Sequence, residues 1–339
     1  MWRRPVLQIV NSAGKDILPG LAGLWLECTI TDNAGSESDE AELTCVGPPS
    51  RFGLPTEATK YTILGGWADE GPVLQGVYTV QKINLRGSPD EGDRITVHLR
   101  AADYVDKLKA HGSRHYDEGT LGDLIRKVAK EAGLSASIAQ EIASIKVPYQ
   151  LRWQQSPIDF LTEIGERYGA LIKPAGGRLV ALKRGSGKSA GGQSLETITI
   201  KRRGRYSYDI ETEPRPNVGH VGAAWRDPKS GKRKIEKAKT DRDGPIFMLQ
   251  HLFKSQAEAR AAATAEAFER GNNSGTGHFD GPGLPRAKAE APVVVSGFGW
   301  PIDGKWKAES VVKRWTALGG FETTVNVKAG SERKDKKSG

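Results

Sequence analysis

The chain has 339 residues, of which 37% are hydrophobic, so it is long enough for two or three domains with cores of their own. It has no apolar run long enough for a membrane-spanning helix, and its two cysteines, Cys28 and Cys45, exclude a disulfide framework and are expected to stay reduced. The formal net charge of +9 permits an anionic partner but says nothing about fold or reaction.

The first hundred residues alternate apolar and polar side chains between turn signals, which predicts β-strands. Three hairpins are expected, over QIVNSAGKDIL (8–18), LWLECTITDNAGSESDEAELTCV (24–46) and GVYTVQKINLRGSPDEGDRITVHLRAAD (76–103). Strands and turns at this spacing are typical of a small sandwich or barrel. Residues 1–100 are therefore assigned to a first β-domain, either a sandwich or a barrel.

Helical periodicity replaces the strand pattern in part of residues 101–194. One helix is predicted from a capping-box-like start at Thr120, and it ends at Gly133. A second helix opens at Ser156, has Pro157 in its first position and ends at Gly169. A strand hairpin follows, so residues 101–194 are predicted to be an α/β domain.

The remainder of the chain returns to strands. Residues 195–226 and 290–330 are expected to form a second β-domain, with 227–289 as an insertion that carries one long helix opened by Ser255 and closed by Gly271. GNNSGTGHFDGPGLPR (271–286) has the composition of a Gly/Pro-rich connection. Residues 331–339 are charged and are expected to be a disordered basic tail.

An internal repeat links the two β-rich ends of the chain. Residues 76–101 align without a gap onto 304–329, with more identities than residue frequencies give by chance. The identical pairs are Gly76 and Gly304, Arg86 and Arg314, Gly92 and Gly320, Thr96 and Thr324, Val97 and Val325, and Ala101 and Ala329. Two interpretations stay open: two amphipathic hairpins that resemble each other by pattern alone, or two copies of one β-domain.

A glycine-rich loop, KRGSGKSAGG (183–192), contains two patterns associated with catalysis. Gly187, Lys188 and Ser189 match the end of a phosphate-binding loop, and Gly187-x-Ser189-x-Gly191 matches a hydrolase nucleophile elbow. Both motifs require a helix directly after the loop, whereas a strand pattern follows here. A flexible loop between two strands is expected, rather than an ATPase or a hydrolase built on Ser189.

Other candidate sites are weaker. His111 and His115 are four residues apart with Asp117 close by, but Gly112 between them predicts a loop, which does not place both histidines on one helix face. DRDG (241–244) lacks the later ligands of a calcium loop. Glu163 and Glu166 are expected on the solvated side of the second helix.

A basic run, KSGKRKIEKAK (229–239), has no interleaved aromatic residue, so an exposed basic strand is expected, with nucleic-acid binding as the alternative. No catalytic residue, metal ligand or cofactor-binding residue is predicted anywhere in the chain.

Three segments resemble a known family. They are TLGDLIRKVAKEAGL (120–134), YQLRWQQSPIDFLTEIGERYGALIKPAGGRLVAL (149–182) and GFGWPIDGKWKAESVVKRWTALGGFETTVNVKA (297–329). They are similar to the late control protein D family, the baseplate hub proteins of contractile-tailed phages, which are related to the hub part of type VI secretion spike proteins. The matching motifs are packing signatures.

The resemblance implies an α+β, mostly β fold with two similar small tube-type β-barrels and peripheral α/β segments. It implies a structural, non-enzymatic hub in the virion tail baseplate, assembled in the host bacterial cytoplasm. Three copies would form a pseudo-sixfold ring that adapts the hexameric tail tube to a trimeric central spike. The ring would frame a channel through which tape measure and DNA leave, the DNA without specific binding.

The implied partners are the chain itself as a homotrimer, the tail tube protein, a central spike that is a separate polypeptide, the tape measure protein and the baseplate wedge proteins. Residues of the repeated hairpins are expected at the interfaces, namely Tyr78, Ile83, Arg86, Trp306, Val311 and Arg314. The alternatives are a basic nucleic-acid-binding protein and a hub-like component of a tailocin or other contractile injection system.

Overall fold

The computed structural model describes residues 3–35, 37–56, 58–90, 92–100, 106–175, 178–183, 194–212, 218–240, 243–271 and 275–329. The loop that carries Ser189, the first half of DRDG and the charged tail lie outside the described residues. The described part is mostly β, as expected for the fold class. None of its helices is long and apolar enough to cross a membrane.

The first six strands form one group, here called the N-terminal module: β1 (Pro5–Asn11), β2 (Trp25–Asn33), β3 (Glu40–Val46), β4 (Lys60–Trp67), β5 (Gly71–Ser88) and β6 (Gly92–Arg100). They pair in the order β1-β4-β5-β6-β3-β2, always antiparallel. Alternate residues of these strands face a core that includes Ile30, Ile63 and Ile95.

Two of the three hairpins predicted in this module are confirmed, β2–β3 and β5–β6. The first is confirmed only as a short turn, because Val10 bridges antiparallel to Asp16 and the Ile17 N–H donates to the Ile9 carbonyl at 2.9 Å, but no second strand follows. Along its length β1 pairs with β4, and the chain after the turn forms a 3-10 helical turn at Leu18–Leu21. The carboxylate of Asp16 explains this, since its Oδ1 accepts the N–H groups of Ile9 and Leu18, both at 3.1 Å. Pro19, which has no N–H to offer a strand partner, is the second residue of the 3-10 turn.

The middle of the chain packs around a core of its own. Its elements are α1 (Asp106–Lys109), β7 (Gly112–Tyr116), β8 (Gly119–Thr120), α2 (Leu121–Ala132), β9 (Ser135–Ile138), α3 (Gln140–Ala143), β10 (Lys146–Val147), β11 (Gln150–Gln155), α4 (Pro157–Tyr168), β12 (Ala170–Ala175) and β13 (Arg178–Lys183). The two predicted helices, α2 and α4, are confirmed together with their ends. Thr120 and Ser156 each accept the backbone N–H three residues later at 3.2 Å, and Gly133 and Gly169 end the helices with positive φ.

After this unit come β14 (Ile198–Lys201), β15 (Ser207–Thr212), β16 (His220–Arg226), β17 (Arg233–Lys239), β18 (Ile246–Phe253) and α5 (Gln256–Gly271). The predicted long helix, α5, is confirmed. The segment 195–226, predicted as one barrel segment, is divided: β16 pairs with β17 and β18 in a separate three-stranded sheet that packs on α5. The domain boundaries themselves stay a prediction.

The last strands are β19 (Gly275–Pro282), β20 (Pro292–Ser296), β21 (Gly304–Thr316) and β22 (Phe321–Ala329). Interpreting 271–286 as a connection was wrong, because β19 lies in the sheet between β15 and β22. Its glycines serve close packing rather than turning. A Cβ on Gly281 would lie 2.2 Å from the Tyr206 ring, and one on Gly277 would lie 2.1 Å from the Asp209 carbonyl oxygen.

Strands β14, β15, β19, β20, β21 and β22 are here called the C-terminal module. They pair in the order β14-β20-β21-β22-β19-β15. If the six strands of each module are numbered 1 to 6 along the chain, both modules have the order 1-4-5-6-3-2. One pairing differs in direction, since β1 is antiparallel to β4 whereas β14 is parallel to β20. Both modules therefore share one strand order and the direction of the other four pairings, and the unit of β16–β18 and α5 is inserted in the second copy alone.

The registers of the two modules also agree. Ile83 lies opposite Val97, and Val311, which is 228 residues beyond Ile83, lies opposite Val325. The register shifts between Val80 and Lys82, and it shifts again between Ala308 and Ser310, so both hairpins carry a bulge at the same place. Pattern similarity alone does not reproduce a bulge. The chain contains two copies of one six-stranded module. Because β1 and β2 are not paired with each other in the described residues, closure into a barrel stays a prediction.

Replacing Ser156 by Ala should lower the free energy of unfolding by about 1 kcal/mol, because the Asp159 N–H loses its cap at the start of α4. Urea denaturation followed by circular dichroism measures the change. Ser135→Ala, at an exposed strand position, is the control and should change stability by less than about 0.5 kcal/mol. Equal stability of the two variants would contradict the capping role.

Candidate assembly interface

The two modules are joined by a continuous antiparallel sheet. Strand β2 pairs with the second half of β21, with the pairs Glu27–Thr316, Cys28–Trp315, Thr29–Arg314, Ile30–Lys313, Thr31–Val312, Asp32–Val311 and Asn33–Ser310. The ladder is supported by an ion pair in which Arg314 Nε donates to Glu27 Oε2 at 2.8 Å. Ten strands thus follow one another in a single hydrogen-bonded path.

Aromatic side chains pack behind this ladder. Trp315 is 1% exposed and stacks on Phe321 with ring centroids 4.3 Å apart. It also covers Gly65 of the N-terminal module so closely that a Cβ there would lie 2.5 Å from its ring. Trp67 lies against the same Phe321, at 5.1 Å, and its indole N–H donates to the Gly283 carbonyl at 2.9 Å. Trp67, Trp315 and Phe321 belong to one buried hydrophobic cluster that extends across the junction, so the modules hold a fixed orientation.

A buried lysine lies in this junction. Lys313 is 2% exposed, and its Nζ donates to Gln75 Oε1 at 2.7 Å and to the Pro285 carbonyl at 3.1 Å. The pKa of Lys313 is lowered to about 7, mainly by burial and in addition by the nearby positive charge of Lys288, against the opposing effect of Asp32 and Asp39. Because Gln75 belongs to the N-terminal module and Pro285 to the C-terminal part, the ammonium group ties the two together.

The strands equivalent to β21 and β2, which are β5 and β15, each have an edge without a partner within the described residues. Residues 82–87 of β5 pair with β6 on one side only, and β15 pairs with β19 on one side only. By the correspondence of the modules, the β5 edge is equivalent to the edge of β21, and β15 is equivalent to β2. The corresponding edges of β21 and β2 pair with each other in the junction within the chain. Leu85 on the β5 edge is 51% exposed. Unpaired edges of this kind are templates for pairing with another chain.

The face of the sheet turned away from the cores is polar. It carries, on alternate positions of the strands, Lys82, Asn84, Arg86, Arg94, Thr96, His98, Arg100, Glu40, Glu42, Thr44, Glu27, Thr29, Thr31, Ser310, Val312, Arg314, Glu322, Thr324, Asn326, Lys328, Thr276, His278, Asp280, Ser207, Asp209 and Glu211. Many of the charges pair across strands. Arg100 Nη2 lies 2.9 Å from Glu40 Oε1, and His98 Nδ1 lies 2.7 Å from Glu42 Oε1.

The residues predicted for interfaces lie in three different environments. Tyr78, Trp306 and Val311 are buried in the cores of their own modules. Arg314 is at the junction of the modules. Ile83 and Arg86 lie on the free edge of β5. A role of any of them in contacts between chains stays a prediction.

Sequence reasoning missed three residues of the free edges, Leu85, Asp209 and Ile210. For Leu85 a signal was available, because the repeat aligns this apolar residue with Lys313. No signal marked Asp209 and Ile210, because β15 lies outside the aligned hairpin.

The candidate metal-binding and acidic residues that the structure describes do not converge. His111 Nδ1 lies 3.1 Å from the Gln154 carbonyl, whereas His115 is on β7, a strand where a loop was predicted. Among the residues that the structure describes, no group of three His, Cys, Asp or Glu side chains could hold a metal ion. Glu163 is exposed and pairs with Arg167 at 2.5 Å. Burial raises the pKa of Cys28 to about 12 and that of Cys45 to about 11, so both free thiols stay protonated.

Two curated phage proteins are similar in sequence to nearly all or most of the chain. The chain is 29% identical over 358 aligned residues, which cover 92% of it and 90% of the relative, to the probable baseplate hub protein of Escherichia phage P2. It is 27% identical over 269 residues, which cover 78% of it and 68% of the relative, to the probable baseplate hub protein of Escherichia phage 186. No family model matches the chain.

Solved structures share the fold at low sequence identity. A tail protein from Neisseria meningitidis MC58 superposes with a TM-score of 0.67 at 13% identity, covering 96% of both chains. A 43 kDa tail protein of prophage MuSo2 from Shewanella oneidensis gives 0.64 at 12% identity, covering 96% of this chain and 98% of the other. A type VI secretion component, the E. coli c3393 protein, gives 0.53 at 11% identity, covering 93% of this chain and 76% of the other. The predicted resemblance to baseplate hub proteins is confirmed.

The buried ammonium group predicts a pH dependence of stability. Because the pKa of Lys313 is about 7 in the folded chain and near 10.5 when exposed, the unfolded chain binds more protons between these values. The free energy of unfolding should therefore gain about 1–2 kcal/mol from this residue between pH 7 and 8.5. Urea denaturation at both pH values measures it, and Lys313→Met should remove this gain. An unchanged pH dependence in the variant would contradict the lowered pKa.

Proposed function

We propose that this chain, with homologues among the probable baseplate hub proteins of phages P2 and 186, is a structural component of the phage tail baseplate. Three copies form a ring in which six similar modules alternate, and the ring adapts a hexameric tail tube to a trimeric central spike. It acts without catalysis, in the virion, after assembly in the host cytoplasm. The observation that carries the proposal is the pairing of β2 with β21. The equivalent strands, β15 and β5, each have an unpaired edge within the described residues.

The intrachain junction gives the register of the contact between chains. If β15 of one chain pairs with β5 of the next as β2 pairs with β21, the opposed residues are Tyr208 and Gly87, Asp209 and Arg86, Ile210 and Leu85, Glu211 and Asn84, and Thr212 and Ile83. Each of these pairs follows directly from the register of the junction within the chain.

The side chains of these pairs are complementary. Within the chain the small Cys28 lies opposite the large Trp315, and between chains the large Tyr208 would lie opposite Gly87. The exposed Leu85 would meet Ile210 on the face where Ile30 meets Lys313 in the junction. Apolar cross-strand pairs of this kind stabilise a sheet.

The charges on this edge also favour the contact. Arg86 lies directly opposite Arg94 in its own hairpin, an arrangement of like charges that is unfavourable. Asp209 of the next chain would approach Arg86 from the other side and offset this repulsion. In the isolated chain the repulsion between Arg86 and Arg94 is therefore not offset across this edge, and Asp209 of the neighbouring chain would offset it.

Pairing these two edges in this way closes a ring. Each chain then uses one edge of β5 and one edge of β15, and neither of these edges is left for uncontrolled growth. Three chains supply six modules, the number that a hexameric tube presents, while the insertion carried by the C-terminal module alone leaves only threefold symmetry for a trimeric spike. The tail tube, spike and wedge proteins are the partners of this proposal.

The polar face of the sheet is suited to the wall of the channel. Carboxylates are interspersed among its cations, as in the ion pairs of Arg100 with Glu40 and Arg314 with Glu27, so the face has little net positive charge to hold phosphate groups. Since phosphate neutralisation supplies most non-specific DNA affinity, DNA and a tape measure protein can pass such a wall without being held.

A charge exchange tests the proposed pairing. Arg86→Glu should raise the concentration at which trimers form by about tenfold, since the introduced carboxylate would face Asp209, and adding Asp209→Arg should restore assembly. Light scattering across a concentration series measures the trimer, and Arg94→Glu, on the same face but away from the edge, is the matched control. Equal weakening by both single variants would show only a general effect of charge.

A covalent test checks the register. With Leu85→Cys and Ile210→Cys in one chain, oxidation should link separate chains into a closed trimer on a denaturing gel, because directly opposed residues are within disulfide reach. Leu85→Cys with Ile235→Cys, whose second position is exposed on β17, should give no such species. A strictly monomeric chain at assembly concentrations contradicts the ring.

A further inference from the structure

A tryptophan, Trp300, is presented to solvent on the loop between β20 and β21. Its side chain is 75% exposed. The loop, residues 297–303, is nevertheless well ordered by one carboxylate, because Asp303 accepts the N–H groups of Gly297 at 3.1 Å, Phe298 at 2.9 Å and Gly299 at 3.1 Å. A loop fixed in this way loses little conformational entropy when its side chain is bound.

The loop lies beside the free edge of β15. Phe298 packs edge-on against Tyr208 of that strand, with ring centroids 5.2 Å apart, and against Phe279 at 5.7 Å. The exposed indole is therefore anchored next to the edge that the proposed ring uses.

Trp300 has a counterpart in the N-terminal module. Gly66 and Trp67 are the last residues of β4, and Gly299 and Trp300 lie in the loop after β20, its equivalent. In the ladders, Ile63 lies opposite Gly76 and Val295 opposite Gly304, which is the repeat partner of Gly76. Counted from these pairs, Trp67 corresponds to Gly299, one residue before Trp300.

The counterpart shows what such a tryptophan does at a module junction. Trp67 is 8% exposed because it reaches from the N-terminal module onto the C-terminal one. Its ring contacts Phe321, and its indole N–H donates to the carbonyl of Gly283, in the loop after β19.

The surface equivalent to Gly283 is in the loop after β3. The Gly47 N–H donates to the Asp93 carbonyl at 2.9 Å, and the Gly283 N–H donates to the Phe321 carbonyl at 2.9 Å, so the two glycines hold the same place. Each is followed two residues later by a proline, Pro49 or Pro285.

One residue of this surface differs between the modules. Asp93 stands where Phe321 stands in the second copy, so the aromatic ring that Trp67 meets is missing there. Phe52 offers a replacement, since a Cβ on Gly47 would lie 3.6 Å from its ring.

We propose that Trp300 docks on residues 47–52 of a second copy of this chain. Its indole N–H donates to the Gly47 carbonyl, and its ring packs against Phe52. The inference rests on the proposed ring, whose contact between chains brings β15, and the loop beside it, to the module that carries Gly47. In a single chain the indole is exposed because this surface belongs to the neighbour.

The test combines assembly with footprinting of the full chain. Hydroxyl-radical oxidation of Trp300, followed by mass spectrometry, should fall at least about fivefold when the chain is concentrated from monomer to trimer, as burial of a largely exposed ring requires. Trp300→Ala should raise the concentration needed for trimers by at least about tenfold, as for a central aromatic contact. Trp300→Phe, which keeps a ring but loses the donor, should have a smaller effect.

Trp153→Ala is the matched control, because Trp153 is 67% exposed on β11, outside both modules, and its replacement should leave assembly unchanged. Trimers that form with Trp300 still fully oxidised, or that form equally well from Trp300→Ala, would overturn the docking and leave the ring intact. A chain that remains monomeric in every experiment would overturn both. Circular dichroism of each variant confirms that the chain is folded.

Discussion

The structure depends on the need of every strand edge for a hydrogen-bonding partner. A six-stranded module with the order found here ends in two strands whose outer N–H and C=O groups are unpaired, and it meets another module by adding strand to strand. The junction of β2 and β21 shows the solution within the chain, where a ladder of seven residue pairs is backed by packed aromatic rings. The proposed assembly extends this contact to the equivalent edges of β5 and β15.

Much of the fold could be predicted from the sequence where local rules decide. The helices α2 and α4 have caps, apolar periodicity and terminal glycines that agree with one another, and the structure places them within a residue of the prediction. Strands that depend on distant partners were harder. β19 contains four glycines and prolines in eight residues, which look like a loop until Tyr206 is seen to lie against Gly281.

The candidate interface could be predicted only in part, for a physical reason. A duplicated module must repeat its internal packing, so the repeat in the sequence identifies core positions such as Tyr78 and Trp306 most clearly. Edge positions face different surroundings in the two copies and need not match. Lys313 and Leu85 are equivalent, yet one is enclosed by Gln75 and Pro285 of its own chain while the other remains half exposed. Dissimilarity within a repeat is the better indicator of where the copies meet something different.

The extra residue in each repeated hairpin, Gln81 in one module and Glu309 in the other, has a geometric consequence. A bulge increases the local twist and bends the strand that carries it. In the proposed ring of alternating modules, these bends would recur at a single height around the axis, and together they would help to fix the diameter of the proposed channel. The diameter of the channel would then be set by the number of backbone residues rather than by the size of the side chains. The side chains that line the channel could therefore be substituted without changing its diameter.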